Sequence, residues 1–453
     1  MGIYAGKRAL VIGLASSGVA AANLLAREGA VVDVTDTKPR QDLAARVAEL
    51  PNGTGLYLGG HGAVDPKAYH LAVISPGVPW DAPFPASVRA AGVEMISELE
   101  LAFRHITAPV IAVTGAKGKS TTTTLIGGML EARGWKVFTG GNLGRPLCLA
   151  AAELYDWIVA EVSSFQLEGI KTFHPKISVI TNITPDHLDR HKSMEAYAAL
   201  KARVFENQGP GDTVILNAED PVSQSLRPSA HTLWFGRELP EGRYGVSRKD
   251  GAVWEKTPGR VAVRLFSEDD VKGKRPHKFP HLVDTAMAAA LACIAAGAWT
   301  GAASQAIASF NGLPHRLEYV ACGGGIHFYN DSKATNAAAA SAALAGFNGD
   351  VALIAGGSSK GADFTSFAEE IRKRAKGVVL IGQTADLIEK ALGDYQPKKR
   401  AVSMEEAVAL AASLLSPGDS VLLSPACASF DMFKSAEDRG EAFRRSVALL
   451  VKG

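Results

Sequence analysis

Short apolar runs alternate with amphipathic stretches over the first hundred residues. The β-branched runs Ala9–Ile12, Val31–Thr35 and Leu71–Ile74 predict strands, and the apolar spacing of Val19–Arg27 predicts a helix. Strands that alternate with helices usually pair in parallel within one sheet. The pattern therefore predicts a Rossmann-like α/β domain over residues 1–97.

A second series of strands follows, and each strand ends in polar residues that are placed to line a site. Between Thr232 and Phe266 the pattern changes to short apolar pieces separated by Gly and Asp turns, which predicts a small antiparallel insert. The Ala-rich stretch Ala286–Ala296 predicts a helix, and this central domain is expected to span residues 98–312. Its predicted strands are Pro109–Val113, Trp157–Ala160 and Ile177–Ile180.

A third α/β series predicts a second Rossmann-like domain at the C-terminal end, over residues 313–453. The basic run Lys398–Arg400 is short and isolated, so we expect a solvated loop there rather than a binding patch. The predicted strands of this domain are Val351–Ala355, Val378–Ile381 and Val421–Leu423.

Composition and charge narrow the function classes. Lys and Arg number 48 and Asp and Glu 46, so a net charge of +2 gives no field that would attract nucleic acid or an anionic membrane. The 4 cysteines are widely separated and form no C-x-x-C pair, which indicates neither a zinc site nor a disulfide framework. No signal peptide and no apolar span of about 20 residues is present. We expect a cytoplasmic monomer that binds anions locally.

The sequence Thr114-Gly-Ala-Lys-Gly-Lys-Ser-Thr follows a buried strand and precedes a helical pattern, which is the context of a phosphate-binding loop. Gly115 and Gly118 allow backbone N–H groups to turn toward an anion, Lys119 can reach terminal phosphates, and the Ser120 hydroxyl can bind Mg²⁺. The loop is shorter than the general pattern, and the alternative is a glycine-rich turn that carries surface lysines. The central domain is thus predicted to bind a nucleotide.

Five further motifs occur in a fixed order with this loop, and they make the chain similar to the Mur ligases. These are ATP-dependent amide-forming enzymes of peptidoglycan synthesis, themselves similar to folylpolyglutamate synthetases. The C-terminal Ser424-Pro-Ala-Cys-Ala-Ser-Phe-Asp-Met-Phe and Arg439-Gly-Glu-Ala-Phe most resemble the branch that adds D-glutamate to UDP-N-acetylmuramoyl-L-alanine. The five motifs are Gly140-Gly-Asn-Leu-Gly, Glu161-Val-Ser-Ser-Phe-Gln-Leu-Glu, Asn182-Ile-Thr-Pro-Asp-His-Leu-Asp-Arg-His, Gly312-Leu-Pro-His-Arg-Leu-Glu and Asn330-Asp-Ser-Lys-Ala-Thr-Asn.

The resemblance implies ATP as co-substrate, two Mg²⁺ ions and an acyl-phosphate intermediate. It implies that Lys201 is carbamylated, which turns a cation into a carboxylate-like group. By residue type alone, Lys201 reads as a solvated lysine on an amphipathic helix and His187 as a hydrogen-bonded loop histidine. The implied catalytic residues are Lys119, His187, Lys201, Arg316 and Lys333. The implied metal-binding residues are Ser120, Glu161, His187 and Lys201.

The N-terminal Gly13-Leu-Ala-Ser-Ser-Gly follows a strand and opens a helix, much like a dinucleotide fingerprint in which Ala15 replaces the middle glycine. That replacement disfavours NAD, and the resemblance implies UDP instead; a purely structural turn is the alternative. The implied residues for the UDP substrate are Ser16, Ser17, Asp36, Thr37, Lys38, Asn142, Ser163, Gln166 and His187. The implied ATP-binding residues are Gly115, Ala116, Lys117, Gly118, Lys119, Ser120, Thr121, Arg316 and Asp331.

For the third domain, the resemblance implies that Thr335, Lys360 and Ser429 hold the incoming glutamate. Structural ion pairs are the alternative for the charged residues there. One departure from the family stands out, because Leu282 and Thr285 occupy positions where asparagines commonly address the adenine. How this chain recognises adenine is therefore open.

Three other functions remain open at this point. A sister Mur ligase or a folylpolyglutamate synthetase would use another amino acid or acceptor, and the C-terminal motif disfavours it. A nicotinamide-dependent oxidoreductase would use the first domain, which Ala15 and the phosphate loop disfavour. A non-catalytic ATP-binding module would leave the joint presence of Lys119, Glu161, His187 and Lys201 unexplained.

Overall fold

The computed structural model describes residues 2–186, 188–272, 280–310, 312–347, 350–358 and 363–452. These residues form two compact units. The first contains the described residues of 2–271 and 281–307, and the second contains those of 308–452 together with Lys272 and Pro280.

The first sheet confirms the predicted βαβ pattern. Its strands run parallel in the order β3-β2-β1-β4-β5, so the strand order reverses beside β1, and a crevice opens there at the carboxyl ends of β1 and β4. The helix after β1 begins at Ser16, three residues before the predicted Val19. The strands are β1 (Arg8–Ile12), β2 (Val31–Asp36), β3 (Gly55–Leu58), β4 (Leu71–Ile74) and β5 (Glu94–Ser97).

The second sheet has the order β14-β13-β12-β11-β10-β9-β6-β8-β7. The expected antiparallel pairing is confirmed for the later part of this range, β12–β14, and wrong for the first part, because β11 pairs in parallel with β10 and β12 and the strands extend one sheet. Pairing turns antiparallel only at β12–β13 and β13–β14. The strands are β6 (Val110–Thr114), β7 (Val137–Gly141), β8 (Trp157–Glu161), β9 (Ile177–Ile180), β10 (Thr213–Asn217), β11 (His231–Gly236), β12 (Gly245–Lys249), β13 (Ala252–Lys256) and β14 (Val263–Ser267).

The third sheet has the order β15-β16-β20-β17-β18-β19, with β15–β16 antiparallel and the other pairs parallel. The prediction of a loop at Lys398–Arg400 is wrong, because these residues form the edge strand β19. Charged side chains are common on edge strands, where they deter pairing with another chain. The strands are β15 (Glu318–Gly323), β16 (Ile326–Asn330), β17 (Val351–Gly356), β18 (Gly377–Ile381), β19 (Lys398–Arg400) and β20 (Ser420–Leu423).

Helices cover the sheets, and the long Ala-rich helix is confirmed with an earlier start at Pro280. Within the described residues, no helix is long and apolar enough to cross a membrane. The helices are α1 (Ser16–Arg27), α2 (Ala44–Val47), α3 (Pro83–Ala90), α4 (Glu98–Phe103), α5 (Lys119–Ala132), α6 (Ser164–Leu167), α7 (Leu188–His191), α8 (Met194–Ala202), α9 (Pro221–Ser225), α10 (Glu268–Lys272), α11 (Pro280–Ala295), α12 (Gly301–Ser309), α13 (Ala337–Leu344), α14 (Thr365–Arg374), α15 (Ala385–Leu392), α16 (Met404–Ala412) and α17 (Ala436–Lys452).

One hydrophobic cluster runs from the first sheet into the second, so these two sheets share a compact unit. Leu99 and Leu101 of α4 are fully buried in it, directly after β5. The buried carboxylate of Glu100, also on α4, accepts hydrogen bonds from the backbone N–H groups of Lys171, Thr172 and Phe173. The segment that joins the first two sheets is therefore fastened to the second one by apolar burial and by charge-assisted hydrogen bonds.

Candidate active site

The phosphate loop lies between β6 and α5, as the sequence predicts. Gly118 precedes the first residue of α5 with a φ of 85°, a left-handed conformation that favours glycine. At Gly115 a Cβ atom would lie 1.9 Å from the Thr181 hydroxyl oxygen, so a side chain does not fit there. Both glycines are therefore required by the geometry of the loop.

Asn182, two residues after the end of β9, braces this loop from the side. Its side-chain Oδ1 accepts from the Lys117 N–H at 3.0 Å, and its Nδ2 donates to the Lys117 carbonyl at 2.9 Å. The Ala116 N–H donates to the Asn182 backbone carbonyl, and the Thr181 hydroxyl donates to the Lys117 carbonyl. The side-chain amide of Asn182 thus bonds both the N–H and the carbonyl of Lys117, as the backbone of a neighbouring strand would. Residue type alone assigned no role to Asn182.

Lys119 and Lys201 converge on the loop. Lys119 Nζ donates to the carbonyl oxygens of Gly115 and Ala116, and Lys201 Nζ donates to Gly115 O at 2.7 Å. Lys201 is only 2% exposed, so it is not the solvated lysine that its helix pattern alone indicates. Burial, reinforced by the positive charge of Lys119, lowers the pKa of Lys201 to about 7.

Glu161 ends β8 in a buried position beside the loop's strand. Its Oε1 accepts from Asn142 Nδ2 at 2.6 Å, whereas its Oε2 is buried without a hydrogen-bond partner among the described residues. Ser120 is half-buried in the first turn of α5. An orphaned carboxylate oxygen near a phosphate loop fits a hard cation such as Mg²⁺.

No group of three or more His, Cys, Asp and Glu side chains that could hold a metal occurs in the described part of the chain. Of the residues predicted to bind metal, Glu161 is the one described residue that is a His, Cys, Asp or Glu. Ser120 and Lys201 are of other residue types. His187 lies outside the described residues.

A cavity of about 490 Å³ lies in the first unit, at the crevice beside β1 and β4. Its lining brings together seven of the nine residues predicted for the UDP substrate. Ser163 is instead the N-terminal cap of α6, where it forms a capping box with Gln166. The seven are Ser16, Ser17, Asp36, Thr37, Lys38, Asn142 and Gln166.

The Asp36 carboxylate shapes this cavity through the backbone. Its Oδ2 accepts from the Leu14 N–H at 2.7 Å and its Oδ1 from the Lys38 N–H at 2.9 Å. Ser75 donates its hydroxyl to the Gly13 carbonyl from the other side. The turn after β1 is therefore held by side chains from two neighbouring strand ends, and Ser75 was missed by the sequence analysis.

In the second unit, Asp331 follows β16 and is buried. Its oxygens accept from the Ser424 hydroxyl at 2.8 Å and from the Leu317 N–H at 3.1 Å, and burial raises its pKa to about 7. Arg316 is exposed between two residues with positive φ, His315 at 62° and Leu317 at 43°. Such non-glycine outliers are uncommon, and here they present the guanidinium to solvent.

Among the other residues predicted for this domain, the described ones follow β16 (Lys333 and Thr335) or β20 (Ser429). Lys333 forms an ion pair with Glu437, which lowers the pKa of that carboxyl to about 2. Thr335 is exposed, and Ser429 is buried in the loop after β20. Lys360 lies outside the described residues.

Arg439 has a structural role that its sequence motif alone did not predict. Its side chain is fully buried, and burial lowers its pKa to about 10. It donates to the Ser332 hydroxyl and carbonyl and to the carbonyls of Cys427 and Ala428. The guanidinium thereby joins the loop after β16 to the loop after β20. An arginine inside an apolar helix face was the signal available in the sequence.

Leu282 and Thr285, which replace the expected asparagines, lie in α11. The Thr285 hydroxyl donates to the Leu282 carbonyl within the helix. A Cβ on Gly118 would lie 3.0 Å from the Thr285 methyl group, so α11 packs against the start of α5. Thr285 is thus placed beside the phosphate loop, and its hydroxyl is used inside its own helix.

Comparison with known proteins gives the class. Residues 7–97 match the N-terminal domain of MurD-like Mur ligases, residues 113–242 the Mur ligase middle domain, and residues 315–427 the Mur ligase glutamate ligase domain. The chain belongs to the Mur ligase family. It is 41% identical to the UDP-N-acetylmuramoylalanine–D-glutamate ligase of Geobacter metallireducens, over 99% of this chain and 98% of that protein. It is 43% identical to the ligase of the same name from Pelotomaculum thermopropionicum, over 99% and 98%.

Solved structures share the fold at lower identity. The UDP-N-acetylmuramate-alanine ligase MurC of Thermotoga maritima is 19% identical, with a TM-score of 0.57 and coverage of 98% of each chain. The MurF ligase of the same organism, in complex with ADP, is 15% identical, with a TM-score of 0.58 and coverage of 100% of this chain and 99% of that one. These similarities establish three α/β domains of Mur ligase type.

Proposed function

We propose that this chain adds D-glutamate to UDP-N-acetylmuramoyl-L-alanine at the expense of ATP, as a cytoplasmic step of peptidoglycan precursor synthesis. The observation that carries the proposal is that one strand pair connects the phosphate loop to the substrate cavity, because β6, which leads into the loop, pairs with β8 at Val113 and Glu161. Lys201 touches the loop at Gly115, and Asn142 on the cavity wall holds Glu161 on β8. The full-length relatives named for this activity support the choice of amino acid.

Joining a carboxylate to an amine in water needs an activated carbonyl, which phosphoryl transfer from ATP supplies. The γ-phosphoryl group moves to the carboxylate of the UDP substrate, the amine of D-glutamate attacks the acyl phosphate, and phosphate leaves. Positioning and charge neutralisation supply most of the catalysis in such a transfer. Gly115, Ala116, Lys117, Gly118, Ser120 and Thr121 are proposed to hold the nucleotide, with Lys119 on its terminal phosphates.

The donor set fits Mg²⁺, which supplies Lewis-acid stabilisation of phosphate oxygens when bound. We assign one ion to Ser120 and the orphaned oxygen of Glu161. The second ion is assigned to His187 and a carbamylated Lys201. A pKa near 7 leaves much of the Lys201 amine neutral at physiological pH, and a neutral amine adds CO₂ to form a carbamate with release of a proton.

From the C-terminal domain, Arg316 and Lys333 are proposed to neutralise phosphate charge, and Asp331 to accept from the nucleotide ribose. For Lys333 this requires release from Glu437. Thr335, Lys360 and Ser429 are proposed to bind the incoming glutamate.

The seven cavity residues, together with Ser163 and His187, are proposed to bind the UDP substrate. We further propose domain boundaries at 1–97, 98–312 and 313–453, a monomeric state, and no nucleic-acid or membrane partner.

The deciding experiment measures phosphate release from ATP with UDP-N-acetylmuramoyl-L-alanine present. D-Glutamate is compared with L-glutamate, other amino acids and no amine. Release that requires D-glutamate, with an amide product of the expected mass, is the expected result. Release with another amino acid alone would move the chain to a sister ligase, and no release in any combination would refute the activity. Depletion of CO₂ should lower the rate and added bicarbonate should restore it if Lys201 is carbamylated.

A further inference from the structure

Arg190 lies in α7, three residues after His187, and its guanidinium is packed among several segments of the first unit. The guanidinium carbon lies 4.1 Å from the centre of the Phe165 ring, and Nη2 lies 3.2 Å from Glu168 Oε2. Both partners are in the segment that contains Gln166, a residue of the cavity wall. The side chains of Arg190 and Glu168 are 20% and 14% exposed, so the pair is largely shielded from water.

The same guanidinium also reaches the first domain. Nη1 donates to the Pro76 carbonyl at 3.4 Å and Nη2 to the Val78 carbonyl at 3.2 Å. Pro76, Gly77 and Val78 follow β4 and form one wall of the 490 Å³ cavity. One side chain of the central domain therefore holds a wall of the substrate cavity by its backbone.

That wall is itself packed against the turn after β1. A Cβ on Gly13 would lie 2.8 Å from a Val78 methyl group and 3.1 Å from the Ser75 Cβ, so the two loops are in close contact. A shift of the wall would move this turn as well. The substrate cavity and α7 are thus connected through Arg190.

We propose that Arg190 is a positioning residue that holds the cavity wall at 76–78 in register with α7 and with the cavity-wall segment of Gln166. This inference rests on the proposed function. A planar guanidinium can donate to a carboxylate and two carbonyls at once, whereas a lysine ammonium on the same site acts as a point charge. Misplacement by about 1 Å can cost about 100-fold in rate, so the loss of Arg190 should be felt in the reaction of the UDP substrate.

Arg203 provides a matched control. It donates to the carbonyls of Glu168 and Ile170 and pairs with Glu206, so it anchors the same segment as Arg190. Within the described residues, none of the hydrogen-bond partners of Arg203 belongs to the cavity wall at 76–78. Arg190→Met, Arg190→Lys and Arg203→Met are compared in the full chain for kcat, for the KM of each substrate, for thermal stability and for UDP affinity by calorimetry.

The expected result is a fall of about 100-fold in kcat/KM for the UDP substrate in Arg190→Met, with the KM for ATP nearly unchanged, and no comparable fall in Arg203→Met. The kcat/KM of Arg190→Lys for the UDP substrate should also fall, and this variant tests the proposal if Arg190→Met does not fold. Equal losses in the Arg190 and Arg203 variants, or an equal rise in the KM for ATP, would overturn the proposal.

A failure of the proposed function can be distinguished from a failure of the proposed role of Arg190. A wild-type chain without turnover would refute the proposed function, and UDP affinity would then test Arg190 by itself. Weaker UDP binding in the Arg190 variants than in Arg203→Met would still support the positioning role, and equal binding would refute it.

Discussion

Lys119 and Lys201 donate to one carbonyl oxygen, that of Gly115, at 2.9 and 2.7 Å. Lys201 is buried, which disfavours its charged form, and the two ammonium groups that share this acceptor also repel each other. The proton on Lys201 is therefore held weakly, while Lys119 stays next to the loop where a phosphate would bind. One backbone oxygen thus links the proposed carbamylation site to the proposed nucleotide site.

The first prediction concerns pH and stability. The unfolded chain keeps the Lys201 proton up to an ordinary lysine pKa of about 10.4, whereas the folded chain releases it at about 7. The free energy of unfolding therefore gains from this group as pH rises above 7, by at most about 1.4 kcal/mol per pH unit. Lys201→Met removes this increase in the free energy of unfolding with pH.

Urea unfolding of the wild type and of Lys201→Met in CO₂-free buffer checks this prediction. The wild-type value minus the variant value should rise with pH above neutrality and should stay level below it. A difference that does not change with pH would contradict the lowered pKa.

Lys119→Ala should reduce turnover by at least about 100-fold, because a fixed cation at the terminal phosphates stabilises the charge that develops during transfer. Steady-state phosphate release measures the effect. Lys136→Ala, which removes a half-exposed lysine paired with Glu153, is the control and should retain its rate. Full activity in Lys119→Ala would refute the phosphate-loop assignment.

Asn182→Ala should raise the KM for ATP by up to about 30-fold, because two side-chain hydrogen bonds that hold Lys117 are worth about 1 kcal/mol each. Asn207→Ala is the matched control, since Asn207 donates to the carbonyls of Lys171 and Phe173. A KM for ATP that rises equally in both variants would mean that Asn182 acts only on general stability.

Arg439→Lys should destabilise the chain by about 3 kcal/mol, because an ammonium cannot serve all the acceptors around the buried guanidinium. Arg445→Lys, an exposed position on the same helix, should change stability by less than about 0.5 kcal/mol. The free energy of unfolding in urea measures both. Equal stability of the two variants would show that the buried network contributes little.

The local sequence pattern was sufficient to predict structure where that structure depends on one segment alone. The strand at Leu71–Ile74 was predicted with its observed bounds, and the glycines of the phosphate loop were predicted because their backbone geometry is local. The edge strand Lys398–Arg400 was missed because its pairing with β18 depends on a distant segment and its charges look like those of a loop.

The sequence by itself determined the order of α/β elements, the phosphate loop and the family, since these reside in short motifs and in apolar periodicity. The tertiary structure decided which residues act together. The burial of Lys201, the brace from Asn182 and the reach of Arg190 to the cavity wall all depend on segments far apart in the chain. Desolvation and hydrogen-bond geometry arise only when folding brings such segments together, and no local pattern encodes them.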